Sequence, residues 1–70
     1  MIPEDIDLVA LDEALEKLRH LDETKAQLVK LRYFAGLTVE QAGEVLGISR
    51  ATADRYWTFA RTWLYNEING

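Results

Sequence analysis

The segment from Thr38 to Ala60, with the sequence TVEQAGEVLGISRATADRYWTFA, limits the possible folds more than any other part of the chain. Thr38 is a favourable N-cap, and Gln41 three residues later completes the pattern of a capping box. This pair predicts a helix from about Val39 to Leu46.

The residues after this short helix predict a tight turn and a second helix. Gly47 lies where a helix ends in a left-handed residue, a conformation that glycine adopts without steric cost. Ser49 is a second N-cap, so Arg50 is expected to begin the next helix, and Ile48 can pack into the corner between them. Two helices joined in this way indicate a helix-turn-helix, which places its second helix in the major groove of DNA. The alternative is an ordinary helical hairpin with no role in DNA binding.

The same segment predicts close packing between its two helices. Gly43 lies four residues before Gly47, on the face that must approach the second helix, where a larger side chain would push the helices apart. We expect a small core here, formed by Val45, Leu46, Ile48, Ala53 and Trp57.

Upstream of this segment, two further helices are predicted. Leu8, Leu11, Leu15 and Leu18 form one apolar stripe at helical spacing. Residues 1–5 form a lead-in, Asp5 or Asp7 is the expected cap of the helix, and His20 and Leu21 end it. The lone histidine is interpreted as structural or solvated, because it has neither a metal-ligand partner nor a nucleophile to pair with.

The second helix is expected to run from about Asp22 to Ala35, with Gly36 as its stop and Leu37 in contact with its end. Its apolar residues cover more than one stripe, which has two compatible explanations. The helix is the centre of the bundle, or part of its surface docks a partner protein. The residues concerned are Ala26, Leu28, Val29, Leu31, Tyr33 and Phe34.

The last helix is expected to continue to about Asn66. Its inward stripe is Ala53, Trp57, Ala60 and Leu64, flanked by Tyr56, Trp63 and Tyr65, with Ile68 just beyond the helix. The chain is therefore predicted to be all-α, a single small four-helix domain over residues 1–70 with a helix-turn-helix at about 38–60.

The amino-acid composition excludes several classes of function. The chain has 70 residues, no cysteine and a formal net charge of −4. A disulfide framework and a cysteine-based zinc site are excluded. No apolar run is long enough to cross a bilayer, and no signal peptide is visible. No catalytic constellation is present, so we expect neither an enzyme nor a bound cofactor or metal.

The distribution of charge bears on DNA binding. Residues 1–23 hold eight acidic side chains against two basic ones, whereas residues 46–70 hold Arg50, Arg55 and Arg61 against Asp54 and Glu67. The candidate recognition helix is thus among the least acidic parts of the chain. Its weak positive field predicts weak non-specific affinity for DNA by this domain alone.

The run LRYFAGLTVEQAGEVLGISRATADRYWTFARTWL resembles region 4 of sigma-70-type RNA polymerase sigma factors, and most of all the extracytoplasmic-function group. The shared features are LRYFAGLT, the Glu40–Gln41 pair, the LGIS turn, Thr52, and a second helix that bears arginines and ends in Trp63–Leu64. With the upstream ALEKL segment, the resemblance covers roughly Leu11 to Leu64.

This resemblance implies a cytoplasmic four-helix domain that recognises the −35 element of double-stranded promoter DNA. It also implies docking of the earlier helices on the β flap of RNA polymerase core, and an anti-sigma regulator as a further partner. The family's region 2 cannot fit in 70 residues, so we expect an excised domain or a shortened relative.

The sequence departs from the family pattern in the helix-turn-helix. Ala42 and Gly43 stand where a large aliphatic residue and then alanine are usual, and Ala53 stands where valine is usual. Tyr56 and Trp57 can refill that volume. Asp54 stands where a basic residue is common, and its carboxylate can accept a hydrogen bond from cytosine N4.

Side-chain chemistry suggests a role for each candidate DNA contact. The planar fork of Arg55 suits guanine O6 and N7, which makes Arg55 the best candidate for base reading. Arg50 is expected to hold a phosphate, with help from Thr38, Ser49 and Thr52. Asp54 and Thr58 lie on the same exposed side of the helix. The expected partner-binding residues are Leu28, Leu31, Tyr33 and Phe34.

Two other functions use the same sequence features. One is a dimeric helix-turn-helix regulator, which would need an exposed apolar seam and a palindromic site. The other is an interaction module for polymerase or a regulatory protein without DNA binding, which the negative charge favours and Arg50 and Arg55 oppose.

Overall fold

The computed structural model describes residues 8–69, which form four helices joined by short connections. The helices are α1 (Leu8–Leu21), α2 (Glu23–Tyr33), α3 (Val39–Leu46) and α4 (Arg50–Asn69). No strand occurs in this range, so the predicted all-α class and the helix-turn-helix at the end of the chain are confirmed. The predicted lead-in and the two candidate caps of the first helix lie outside the described residues.

The core is built mainly from leucines of α1 and small residues of the other helices. Its buried members are Leu11, Ala14, Leu15, Leu18, Ala26, Val29, Ala60 and Leu64. Leu8 was expected to share this stripe but is 60% exposed, because it is the first residue of α1 and no other described element covers it. Ala14 of α1, Ala26 of α2 and Ala60 of α4 let the helix backbones approach closely, which suits a domain with little volume to bury.

Helix α2 begins at a charged N-cap, Asp22, and ends in a turn that spans more residues than a regular helical turn. The Asp22 carboxylate accepts from the Lys25 backbone N–H at 3.1 Å and from the Lys25 ammonium at 2.6 Å. The hydrogen bond from the Lys25 side chain lowers the pKa of Asp22. α2 stops at Tyr33, two residues earlier than predicted. Past this end Leu37 N–H bonds to the Leu31 carbonyl at 3.0 Å, through a turn in which Gly36 is left-handed.

Helix α2 is the centre of the bundle, as predicted, because it contacts each of the other three helices. Helix α4 does the same, whereas α1 and α3 do not meet within the described residues. The bundle therefore has two ends, one held by α1 and the other by α3.

Helix α4 is longer than predicted, because it runs to Asn69 and includes Ile68. That side chain is partly buried against the core, which gives the last turn a reason to stay helical. Lys17 of α1 also pairs with Glu67 at 2.7 Å. Ala53, Ala60 and Leu64 are buried as expected.

Aromatic residues of α4 join it to α2. The rings of Trp57 and Tyr33 pack edge to face, with centroids 5.7 Å apart and planes at 84°. The Lys25 ammonium lies 4.3 Å from the ring centre of Tyr56 and 5.0 Å from that of Phe59. Trp57 and Trp63 are half-buried. These contacts fix the position of the recognition helix relative to α2.

Candidate nucleic-acid interface

The predicted capping box is present at the start of α3. The Gln41 backbone N–H donates to the Thr38 hydroxyl at 3.1 Å, and the Gln41 side-chain oxygen accepts from the Thr38 N–H at 3.0 Å. This reciprocal pair fixes the first turn of α3 and uses the Thr38 hydroxyl as an acceptor. The hydroxyl proton is not used by the box, so Thr38 can still donate to a phosphate.

The turn between α3 and α4 also follows the prediction. Gly47 is left-handed, with φ at 72° and ψ at 28°. Its N–H bonds to the Glu44 carbonyl at 3.2 Å, while the Ile48 N–H bonds to the Gly43 carbonyl at 3.0 Å. This pair of bonds is a Schellman motif, which satisfies the last carbonyls of α3.

Gly43 allows α3 and α4 to cross in close contact. A Cβ placed on Gly43 would lie 2.9 Å from the Ala53 Cβ, nearer than two such carbons approach. It would also lie 3.7 Å from Cγ1 of Ile48, which packs into this corner as predicted. The smallest side chains in the motif thus set the spacing between its helices.

The prediction that Val45 belongs to the small core was wrong. Val45 is 64% exposed, because the inward stripe of α3 is Val39, Ala42, Gly43 and Leu46, and Val45 lies beside it. These four residues have the spacing of a single helix face, with intervals of three, one and three.

Ser49 caps α4 and begins a short polar chain along its first turns. The Ser49 hydroxyl accepts from the Thr52 N–H at 3.2 Å and donates to the Thr52 hydroxyl at 2.9 Å. The Arg55 guanidinium lies 3.4 Å from the same Thr52 oxygen. Arg55 is exposed, and this long contact leaves its fork available to a ligand.

A side chain from the first turn of α3 contacts one from the first turn of α4. Arg50 Nη1 is 3.5 Å from Glu40 Oε2, and both side chains are largely exposed. The two long side chains thus bridge the beginnings of the two helices.

The remaining candidates occupy the exposed side of α4. Asp54 and Thr58 are both exposed, and the Thr58 hydroxyl donates to the Asp54 backbone carbonyl at 3.0 Å. Thr58 can consequently accept a hydrogen bond from DNA but must give up this internal bond to donate one. All seven predicted DNA contacts lie on the helix-turn-helix. They are Thr38, Ser49, Arg50, Thr52, Asp54, Arg55 and Thr58.

The electrostatics of this surface are nearly balanced. The segment 38–60 carries Glu40, Glu44 and Asp54 against Arg50 and Arg55. Since a phosphate backbone is attracted by excess positive charge, the segment has little long-range attraction for DNA. Binding must depend on close contacts and on additional affinity from elsewhere in the assembly.

The predicted partner-binding residues do not form one surface. Leu28 is completely buried, so it cannot contact a partner, because it lies on the side of α2 that faces the bundle. Leu31 and Tyr33 are half-buried, and Phe34 is 60% exposed. An accessible surface at this end of α2 therefore consists of Leu31, Tyr33 and Phe34.

Sequence reasoning missed two side chains near this interface. Glu40 was treated only as part of a family pattern, although it pairs with a predicted phosphate contact. Arg32 was not considered, yet it touches both the connection before α3 and the recognition helix.

No helix within residues 8–69 has the length and apolarity needed to cross a membrane. His20 is exposed and lies 3.4 Å from the Glu16 carboxylate. No group of three or more metal-binding side chains occurs in that range.

The fold and this interface define a small helical domain of the helix-turn-helix class, in which one side of the first two turns of α4 is exposed. A family model described as ECF sigma factor matches residues 2–70. The chain therefore belongs to the ECF sigma factor family, whose members act in transcription initiation and bind promoter DNA and RNA polymerase. Comparison with curated proteins and with solved structures gave no significant match.

Proposed function

We propose that this domain recognises the −35 promoter element as the region 4 domain of an ECF sigma factor. The observation that carries the proposal is the capped helix-turn-helix, in which the Glu40 and Arg50 side chains, from the first turns of α3 and α4, approach to 3.5 Å. In this arrangement the first two turns of α4 enter the major groove while α3 lies over the backbone.

Each exposed residue then has a role that its chemistry supports. Arg55 bonds guanine through two parallel N–H groups. Arg50 holds a phosphate, assisted by the hydroxyls of Thr38, Ser49 and Thr52. Asp54 accepts from cytosine N4 or excludes a neighbouring guanine, and Thr58 accepts from a base or a water molecule.

Partner binding supplies the affinity that the balanced charge does not. In this proposal Leu31, Tyr33 and Phe34 contribute apolar contacts for a helix of the polymerase β flap. An anti-sigma regulator competing for the domain is part of the same proposal. The domain is expected to bind the promoter and the polymerase in the cytoplasm, where the polymerase is found.

The DNA-binding roles can be separated by alanine substitution. Arg55→Ala should cost about 1–3 kcal/mol on the preferred duplex and relax preference at one base position. Arg50→Ala should weaken all duplexes similarly and flatten the salt dependence by about one unit. Arg61→Ala is the control, because Arg61 is exposed on α4 beyond its first two turns.

The measurement is competition binding at two salt concentrations, with the preferred duplex first selected from a randomised pool by the domain fused to a flap fragment. Equal losses on selected and random duplexes for Arg55→Ala would remove it from base reading. Failure of the wild-type fusion to bind any duplex would favour the interaction module, the second candidate that the acidic charge supports.

The partner surface has its own test. Adding a flap-helix peptide to labelled protein should shift the amide signals of Leu31, Tyr33 and Phe34, whereas Leu28 should respond only through its neighbours. Phe34→Ser should weaken this binding without a large loss of stability, because Phe34 is 60% exposed. A response confined to the acidic face of α1 would contradict the docking model.

A further inference from the structure

Arg32 connects three parts of the molecule through one side chain. It lies in the last turn of α2, and its Nη1 donates to the Leu37 carbonyl at 2.9 Å. Its guanidinium carbon lies 4.8 Å from the ring centre of Trp57 in α4. That indole ring in turn packs against Tyr33 of α2. One guanidinium therefore joins α2, the connection before α3, and the recognition helix.

The backbone of Leu37 is held on both sides. Its N–H donates to the Leu31 carbonyl at 3.0 Å, and its C=O accepts from Arg32. The next residue is Thr38, the N-cap of α3. The position of the first turn of α3 thus depends on how firmly Leu37 is held.

The chemistry of these contacts is specific to arginine. A guanidinium is flat enough to stack on an indole while its outer nitrogens donate in fixed directions, whereas an ammonium lacks that planar fork. Arg32 Nε is buried without a hydrogen-bond partner among the described residues. Burying that donor is unfavourable, so the bond to Leu37 and the stacking on Trp57 must hold the side chain in place.

We propose that Arg32 is a positioning residue for DNA binding. It sets the place of the first turn of α3 relative to the recognition helix, and it acts through Leu37 and Trp57. The inference rests on the proposed function, because it assigns Arg32 to the geometry of that interface.

The structural part of the inference is tested in the free protein. Arg32→Met should speed hydrogen exchange at the Leu37 amide and shift the indole N–H signal of Trp57. Exchange at Leu15 and Leu18 should stay slow, because both lie in the core around α1. Unchanged Leu37 exchange and an unchanged Trp57 signal would overturn the proposal.

The functional part is tested by DNA binding under conditions where the α1 amides show that every variant is folded. Arg32→Lys and Arg32→Met should both bind selected and random duplexes roughly tenfold more weakly, about the effect of losing one phosphate contact. The lysine variant keeps the charge, so recovery of wild-type binding by Arg32→Lys would overturn the positioning role in favour of simple attraction.

Different results would overturn the proposed function and the inference on Arg32. Wild-type affinity in Arg32→Met, with the wild-type protein binding DNA, would overturn this inference and leave the proposed function intact. A wild-type protein that binds no duplex would overturn the proposed function, and the DNA-binding role of Arg32 with it.

Discussion

At the scale of single residues, the ion pair between Glu40 and Arg50 holds a proposed phosphate contact in an intramolecular interaction. Both side chains are largely exposed, so the pair is weak, about 0.2–1 kcal/mol. Phosphate must nevertheless compete with Glu40 for the guanidinium. If Arg50 holds a phosphate as proposed, the acidic residue should reduce binding to every sequence alike and leave base preference unchanged.

Removing this competitor should strengthen DNA binding. Glu40→Gln is expected to raise affinity for selected and random duplexes by up to about fivefold at low salt, because it frees Arg50 and removes a negative charge. Fluorescence anisotropy with a labelled duplex measures the change. Glu44→Gln is the matched control, since Glu44 is exposed on the same helix and no ion pair involves it within residues 8–69. An equal gain in both variants would show that only net charge matters.

At the scale of elements, the short distance between α3 and α4 where they cross depends on Gly43 having no side chain. Gly43 and Ala53 meet so closely that a Cβ on Gly43 would lie 2.9 Å from that of Ala53. Both contacting atoms are fixed to helical backbone, so neither can turn aside. A methyl group at this position must separate the helices.

Gly43→Ala should therefore destabilise the domain by about 1–3 kcal/mol, although alanine is the better helix former. Urea unfolding followed by circular dichroism gives the free energy of unfolding. In the double variant with Ala53→Gly, the space is restored and part of the loss should be recovered beyond simple addition. Strictly additive effects would mean that the two positions are not in repulsive contact.

The sequence also shows, element by element, what local signals can predict. The capping box, the left-handed Gly47 and the Ser49 cap were predicted because each depends on residues a few positions apart. The burial of Leu28 and the full length of α4 were not predicted, since both depend on which other helix lies opposite. Arg32 escaped notice for the same reason, because its partners Leu37 and Trp57 lie on two different elements.

At the scale of the whole molecule, stability comes from the leucines of α1 and not from surface charge. Leu18 is completely buried, whereas the Lys17 side chain that pairs with Glu67 is 66% exposed. A domain of this size is stabilised by only about 4–10 kcal/mol. Loss of one core leucine is thus a large fraction of the total.

Leu18→Ala should lower the free energy of unfolding by about 2–5 kcal/mol and reduce DNA binding through loss of folded protein. Lys17→Ala, the neighbouring control, should change the free energy of unfolding little, because an exposed ion pair contributes little. Thermal unfolding of both variants provides the comparison. A larger effect for Lys17→Ala than for Leu18→Ala would mean that the Lys17–Glu67 ion pair stabilises the fold more than the core leucine does.

The length of α4 has a mechanical consequence. Its 20 residues rise about 30 Å, which equals the longest dimension of the molecule at 30 Å. The same helix therefore carries the proposed DNA contacts in its first three turns and the contact of Glu67 with α1 in its last. A tilt of 5° about the far end would move the near end by roughly 2.6 Å, nearly the length of a hydrogen bond.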